Sequence, residues 1–207
     1  MNKLIKKIII FIIIIMYLVD YNDIDLSLNI KRLKEINKDI IGVIYYCNRE
    51  DIVLQSYDNK YYMYHNYLGN NSYSGEIFLD YRNNINDNIL IIYGHNSSLD
   101  ITSFSILKEY LNEVYYDNNK YIKIRFIDRI NTYIIYSIFI EDNNYSYLNI
   151  NGNQEHYIYL KNKSIYESDI DLNDNDKILI LQTCYGKRGS YLVIVSKLVK
   201  EDYYDNR

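Results

Sequence analysis

The chain has 207 residues, with 23 Lys and Arg against 27 Asp and Glu, giving a formal net charge of −4. Its length fits one domain of roughly 150 residues plus a small extra segment, and 48% hydrophobic residues supply enough apolar surface for a core, which excludes a wholly disordered chain. The mild acidity lacks the basic face that nucleic acid demands, and two Cys are too few for a disulfide-dense scaffold or a four-thiolate zinc site.

Lys3, Lys6 and Lys7 precede an unbroken apolar run from Ile8 to Val19, ended by Asp20. As a helix that run rises about 18 Å, and counting from Leu4 with the lysines snorkelling it rises about 24 Å, against a hydrocarbon core of roughly 30 Å. The residues after the run, Tyr17-Leu-Val-Asp-Tyr-Asn22, offer no small-residue cleavage site. A buried helix of a soluble protein competes, but the lysine cluster favours an uncleaved signal-anchor over 1–20. The lysines then lie inside and the rest of the chain outside. Residues 21–36 read as a polar linker and N-terminal helix, with Leu26, Ile30, Leu33 and Ile36 on one stripe.

From about Ile40 the pattern changes to short β-like runs broken by Asn and Asp, which must supply the turns because the chain has no Pro and only 7 Gly. Strands are expected at Ile41–Tyr46, Asp51–Leu54, Lys60–Tyr64, Glu76–Asp80 and Asn88–Tyr93. Further strands are expected at Tyr121–Phe126, Thr132–Ile138, Lys177–Gln182 and Tyr191–Lys197. Such spacing suggests a single mainly β unit, a barrel or a sandwich. Two helices interrupt the series. One runs from Thr102 to Tyr110, with Phe104 and Leu107 at helical spacing and Asp100 as a cap. The other is Gln154–Glu167, with Tyr157, Ile158 and Leu160 as its apolar side.

Candidate chemistry is confined to His65, His95, His156, Cys47 and Cys184. No two His stand at metal-ligand spacing and no glycine-rich phosphate loop is present, so no metal site is expected. A Cys–His pair remains, because a thiol needs an imidazole or cation nearby to act as a nucleophile at neutral pH. Cys184 ends an apolar strand in Leu181-Gln-Thr-Cys184, beside Lys187 and Arg188. His95 stands at the mouth of another apolar strand, in Tyr93-Gly-His-Asn96. Spacing alone leaves open whether they meet, the alternative being an ordinary buried thiol and a solvated histidine. Cys47 reads as a lone packed or exposed thiol, and His65 and His156 as surface residues.

At these residues the chain resembles the class B sortases, over about residues 37–199. Asn37-Lys-Asp-Ile-Ile-Gly-Val-Ile44 is similar to that family's opening strand. Asp58-Asn-Lys-Tyr-Tyr-Met63 and Gly75-Glu-Ile-Phe-Leu-Asp-Tyr-Arg-Asn83 resemble two of its internal segments. Tyr93-Gly-His-Asn96 matches its histidine motif, and Leu179-Ile-Leu-Gln-Thr-Cys184 its cysteine motif. The insertion 153–170 lies where class B members carry a helix before the cysteine strand.

The resemblance implies an eight-stranded β-barrel with peripheral helices over 37–207 and a single-pass membrane anchor, with the catalytic domain extracellular. It implies a cysteine transpeptidase that cleaves a sorting signal at a Thr–Gly or Thr–Asn bond and passes the acyl group to an amine of peptidoglycan, a pilin or another surface protein. Cys184 would be the nucleophile and His95 its acid/base partner, with no cofactor because the thioester conserves the peptide-bond energy. Asn59, Met63, Thr183 and Tyr185 fall where the family lines its substrate groove, although packing within the barrel accounts for them equally well. The family's arginine, which donates to substrate and to the developing oxyanion, starts its last strand, whereas here Ser190 precedes Tyr191-Leu-Val-Ile-Val195 and Arg188, two residues upstream, is the residue expected in that catalytic role. If the strand extends that far, period-two alternation keeps Arg188 on the face of Ser190; a bulge at Gly189 would change its facing, and Lys187 is the substitute charge. The displaced arginine leaves room for a weak or inactive sortase-like binder of sorting signals, and a membrane-tethered cysteine hydrolase is the third reading.

Overall fold

The computed structural model describes residues 26–96 and 104–204. Eight strands form a closed barrel: β1 Ile40–Tyr46, β2 Arg49–Leu54, β3 Ile77–Leu79, β4 Ile89–Tyr93, β5 Tyr121–Arg125, β6 Arg129–Asp142, β7 Ile178–Cys184 and β8 Ser190–Tyr203. The order around the barrel is β1-β2-β3-β4-β7-β8-β6-β5, closed by antiparallel pairing of β5 with β1. Two neighbours run parallel, β2 with β3 and β4 with β7.

The parallel β4–β7 pair explains the texture of its sequences. Ile89-Leu-Ile-Ile92 and Ile178-Leu-Ile-Leu181 are continuous apolar runs, as expected of strands covered on both faces. Leu90, Ile92, Leu179 and Leu181 point into the barrel core with Ile44, Val53, Ile124 and Ile194. Ile89, Ile91, Ile178 and Ile180 point outward, where Tyr147, Tyr157 and Leu160 cover them. The outer cover is the predicted insertion. Its helix runs Gln154–Asn162, shorter than the expected Gln154–Glu167, and starts where Asn153 accepts a hydrogen bond from the His156 amide at 3.1 Å. Tyr157 and Leu160 form the buried side, whereas Ile158 faces solvent.

The other helices depart from the sequence pattern in instructive ways. Leu26–Ile36 is helical; Ile30 is buried and Leu33 packs on Ile40, Leu54, Tyr62 and Phe78, but Ile36 at the helix end is exposed. Among the described residues no helix is long and apolar enough to cross a membrane, and the expected anchor over 1–20 lies outside them. Lys60–Tyr64, expected as a strand, is instead a short helical turn at Tyr61–Tyr64. Asp58 Oδ1 accepts from the backbone amides of Lys60 (2.9 Å) and Tyr61 (2.8 Å), so a local carboxylate turns the chain before any strand partner is reached. The expected Thr102–Tyr110 helix is a 3-10 helix over Phe104–Leu111, its buried residues Phe104, Leu107 and Tyr110 three apart as three residues per turn require. The Asp100 cap falls outside the described residues.

Candidate active site

The β4–β7 register brings the site together. Ile89 pairs with Ile178 and Tyr93 with Gln182. The same offset, continued two residues past the ladder, sets His95 beside Cys184. Three contacts carry the pairing beyond the strands. The Gly94 amide donates to the Gln182 carbonyl at 3.2 Å, Thr183 Oγ1 donates to the Gly94 carbonyl at 2.7 Å, and Asn96 Nδ2 donates to the Cys184 carbonyl at 2.9 Å. Parallel strands present equivalent ends on one side, so two side chains distant in sequence open into one groove.

That groove is a cavity of about 350 Å³ lined by Asn59, Met63, Phe78, Tyr93, Gly94, His95, Gln182, Thr183, Cys184 and Tyr191. Cys184 is a free, exposed thiol, and partial desolvation of its sulfur pushes its pKa up. His95 Nε2 lies 2.7 Å from the Met63 carbonyl oxygen. A carbonyl only accepts, so Nε2 carries the proton and Nδ1 is the nitrogen left to exchange one. The turn at Tyr61–Tyr64 thus acts as the orienting group behind the imidazole. Gly75 permits it: a Cβ there would stand 2.4 Å from the Tyr62 carbonyl oxygen and 2.6 Å from that of Met63, at a positive φ of 55°.

Of the expected groove residues, Asn59, Met63 and Thr183 line the cavity, and Tyr185 does not; it packs against the barrel core. Thr183 is buried and its hydroxyl is engaged with Gly94, so it ties β7 to β4. Arg188 does not extend β8. The strand starts at Ser190, and residues 185–190 close a turn through Tyr185 N to Ser190 O (2.9 Å) and Ser190 N to Lys187 O (3.1 Å). Positive φ at Gly186 and Gly189 shapes that turn, so strand alternation does not govern the facing of Arg188. Its side chain is exposed and outside the cavity lining. It lies near Tyr191, the register partner of Cys184. The Tyr191 phenol is pushed up to about 12 by its hydrogen bond to Tyr145 and by burial, with Arg188 opposing. Lys187 pairs with Asp142 at 2.7 Å.

Tyr93 and Gln182 escaped the sequence reading although they stand two residues before His95 and Cys184, on the same strand faces, which is the signal that marks them. Tyr191 had no such signal, because only the β7–β8 register reveals it. Cys47 is a free, half-buried thiol in the β1–β2 turn, its pKa pushed up by burial. His65 stacks on Tyr61 with ring centroids 4.2 Å apart. His156, expected at the surface, is half-buried beside Gly152, and burial lowers its pKa. Among the described residues no group of three His, Cys, Asp or Glu could hold a metal ion.

The chain is 32% identical to sortase B of Staphylococcus aureus over 184 residues, covering 81% of this chain and 73% of that protein. The chain belongs to the sortase B family, whose members are cysteine transpeptidases. It is also 30% identical to sortase B of Listeria monocytogenes over 190 residues, covering 82% of this chain and 74% of the relative. The solved Staphylococcus aureus sortase B–substrate complex superposes with a TM-score of 0.79 at 26% identity, covering 89% of this chain and 91% of that one. No protein-family model matches the chain. The eight-stranded barrel with peripheral helices expected from the resemblance is the observed fold.

Proposed function

We propose that this sortase B homologue cleaves a sorting signal at a Thr–Gly or Thr–Asn type bond and transfers the acyl group to an amine of peptidoglycan or of another surface protein. The observation that carries the reading is the convergence of Cys184 and His95 in one groove at the ends of the parallel β4–β7 pair. Cys184 Sγ attacks the carbonyl carbon while His95 Nδ1 takes the thiol proton. The C–N bond then breaks, that proton leaves on the departing amine, and an acyl thioester remains. An incoming amine gives its proton to His95 as its nitrogen attacks the thioester, and the proton returns to the thiolate. Arg188 would donate to the oxyanion after the turn at 185–190 brings it over Tyr191. Residues 1–20 would anchor the chain in the membrane with the barrel outside.

The exposed position of Arg188 favours a second reading, in which the groove binds sorting signals and turns over slowly. Full-length protein in detergent, incubated with quenched sorting peptides with and without an added amine, separates the two. Cys184→Ala and His95→Ala should abolish turnover, and the product should carry the amine. Arg188→Ala should lower the rate on the order of 10²–10³-fold, as loss of an oxyanion donor does. Water-only cleavage would indicate a hydrolase, and peptide binding without turnover would select the second reading. Sedimentation of full-length protein with membranes, and its loss on deleting residues 1–20, tests the anchor.

A further inference from the structure

A buried carboxylate stands directly behind the groove wall. Asp80 follows β3, its amide donates to the Ile91 carbonyl at 2.8 Å, and its side chain is fully buried. Gln55 Nε2 donates to the Asp80 carbonyl at 2.9 Å, which fixes the backbone from the other side. Oδ1 accepts from Arg82 Nε and from the Arg82 amide, each at 2.9 Å. Oδ2 accepts from Arg82 Nη2 at 2.8 Å, Tyr93 OH at 2.7 Å and Asn59 Nδ2 at 3.1 Å. Two of these donors, Tyr93 and Asn59, belong to residues that line the cavity.

The arrangement leaves both wall residues little freedom. Tyr93 directs its single hydroxyl proton at Asp80, and its ring lies against Phe78 with centroids 5.4 Å apart. Asn59 is held at both ends, because its Oδ1 accepts from the Tyr81 amide at 2.9 Å. A buried charge is tolerated only when it is paired and hydrogen-bonded, and here the pairing is with Arg82, whose side chain reaches solvent. Burial pushes the Asp80 pKa up, but the hydrogen bonds from Arg82, Tyr93 and Asn59 outweigh it and hold the carboxyl below its ordinary value. Burial and the bond to Asp80 drive the Tyr93 phenol far above its ordinary value, so it stays a donor throughout the working pH range.

We infer that the Asp80–Arg82 ion pair is the positioning unit of the groove, fixing Asn59 and Tyr93 so that the substrate meets a preset wall beside His95. Asp80 touches neither the thiol nor the imidazole and acts through Asn59 and Tyr93. The inference deepens the proposed function, since it takes this groove as the peptide site.

The test is a double-mutant cycle of Asp80→Asn and Tyr93→Phe in the full chain, with the quenched peptides as substrate. Crystal structures of the variants accompany it. Each single change should raise KM roughly tenfold or more, the scale of a lost hydrogen bond to a charged group, and the double variant should add little beyond either. Iodoacetamide requires no bound peptide to reach Cys184, so its alkylation, followed on the Cys184 peptide, should be unchanged. In Asp80→Asn the Tyr93 ring and the Asn59 amide should leave their positions while the barrel stays intact. Additive effects, a parallel loss of alkylation, or Tyr93 and Asn59 still in place with KM unaltered would each overturn the inference. If the wild type turns over no peptide, the substrate reading fails, and the side-chain positions in the variant structures still decide the positioning role. Tyr93→Phe leaves Asp80 its other donors, so it carries the test should Asp80→Asn not fold.

Discussion

Cys184 and His95 are positioned by different means. The thiol owes its place to β7, and partial desolvation raises its pKa from an ordinary value of 9.0. A raised thiol pKa means less thiolate at neutral pH and more as pH climbs through the shifted value. Alkylation of Cys184 in the resting enzyme should therefore be slower at pH 7 than that of an exposed model thiol, and should still be rising past pH 9. A plateau already reached below pH 8 would show that a nearby cation governs the thiol instead. His95 depends on a backbone carbonyl, and that carbonyl on Gly75. Gly75→Ala places a methyl against the Tyr62 and Met63 carbonyls at a left-handed φ, at a cost of at least about 1 kcal/mol. Turnover should fall on the order of tenfold or more through kcat as the imidazole loses its orientation. Unchanged kcat in a folded variant would remove Met63 from the catalytic arrangement.

At the scale of the element, the Gln154–Asn162 helix converts β4 and β7 from half-covered strands into strands buried on both faces. Leu160 is fully buried over Ile89, Ile91 and Ile180. Leu160→Ala should cost about 2–5 kcal/mol and Asn153→Ala, which removes the cap, about 1 kcal/mol, both read from urea denaturation midpoints. Equal losses at the exposed Ile158 would contradict this packing. The same helix shows how far periodicity carries: Tyr157 and Leu160 were legible as a buried side, but its end at Asn162 was not. Ser164 Oγ accepts from the Ile138 amide at 3.1 Å, a long-range bond that ends the helix against β6 and leaves no local signature.

For the molecule as a whole, the tyrosines set a pH limit. Tyr46, Tyr62, Tyr93, Tyr110, Tyr136 and Tyr147 are all driven above their ordinary value of 10.0, burial being the first cause in each, and Tyr133 is pushed up to about 12. Above pH 10 the unfolded chain releases phenol protons that the folded chain retains, so the unfolded state binds fewer protons and stability falls as pH rises. Thermal melts should hold steady below pH 9 and drop steeply between pH 10 and 12. A melting temperature flat to pH 12 would mean that the phenols reach solvent. The closed barrel shields Tyr46, Tyr110 and Tyr133 in its core, while Tyr136 and Tyr147 are shielded on its outer face in the cluster built around Tyr157 and Leu160.

Apart from Lys60–Tyr64, the strand positions and the start of the inserted helix were legible in the chain, as were Cys184 and His95 as ends of apolar strands, because each rests on local pattern: apolar runs, Asn and Asp turns, and motifs that end those runs. The resemblance to class B sortases was legible for the same reason, since its motifs are short and contiguous. Tertiary structure decided everything that depends on register. It set His95 beside Cys184 through a parallel pairing of strands far apart in sequence, and it brought Tyr191 opposite the thiol. It turned 61–64 into a helical clamp on the imidazole and left Arg188 in a turn. The physical reason is common to the first two. A strand run states which faces are apolar, but the partner strand and its offset follow from closing the barrel, which no local segment contains.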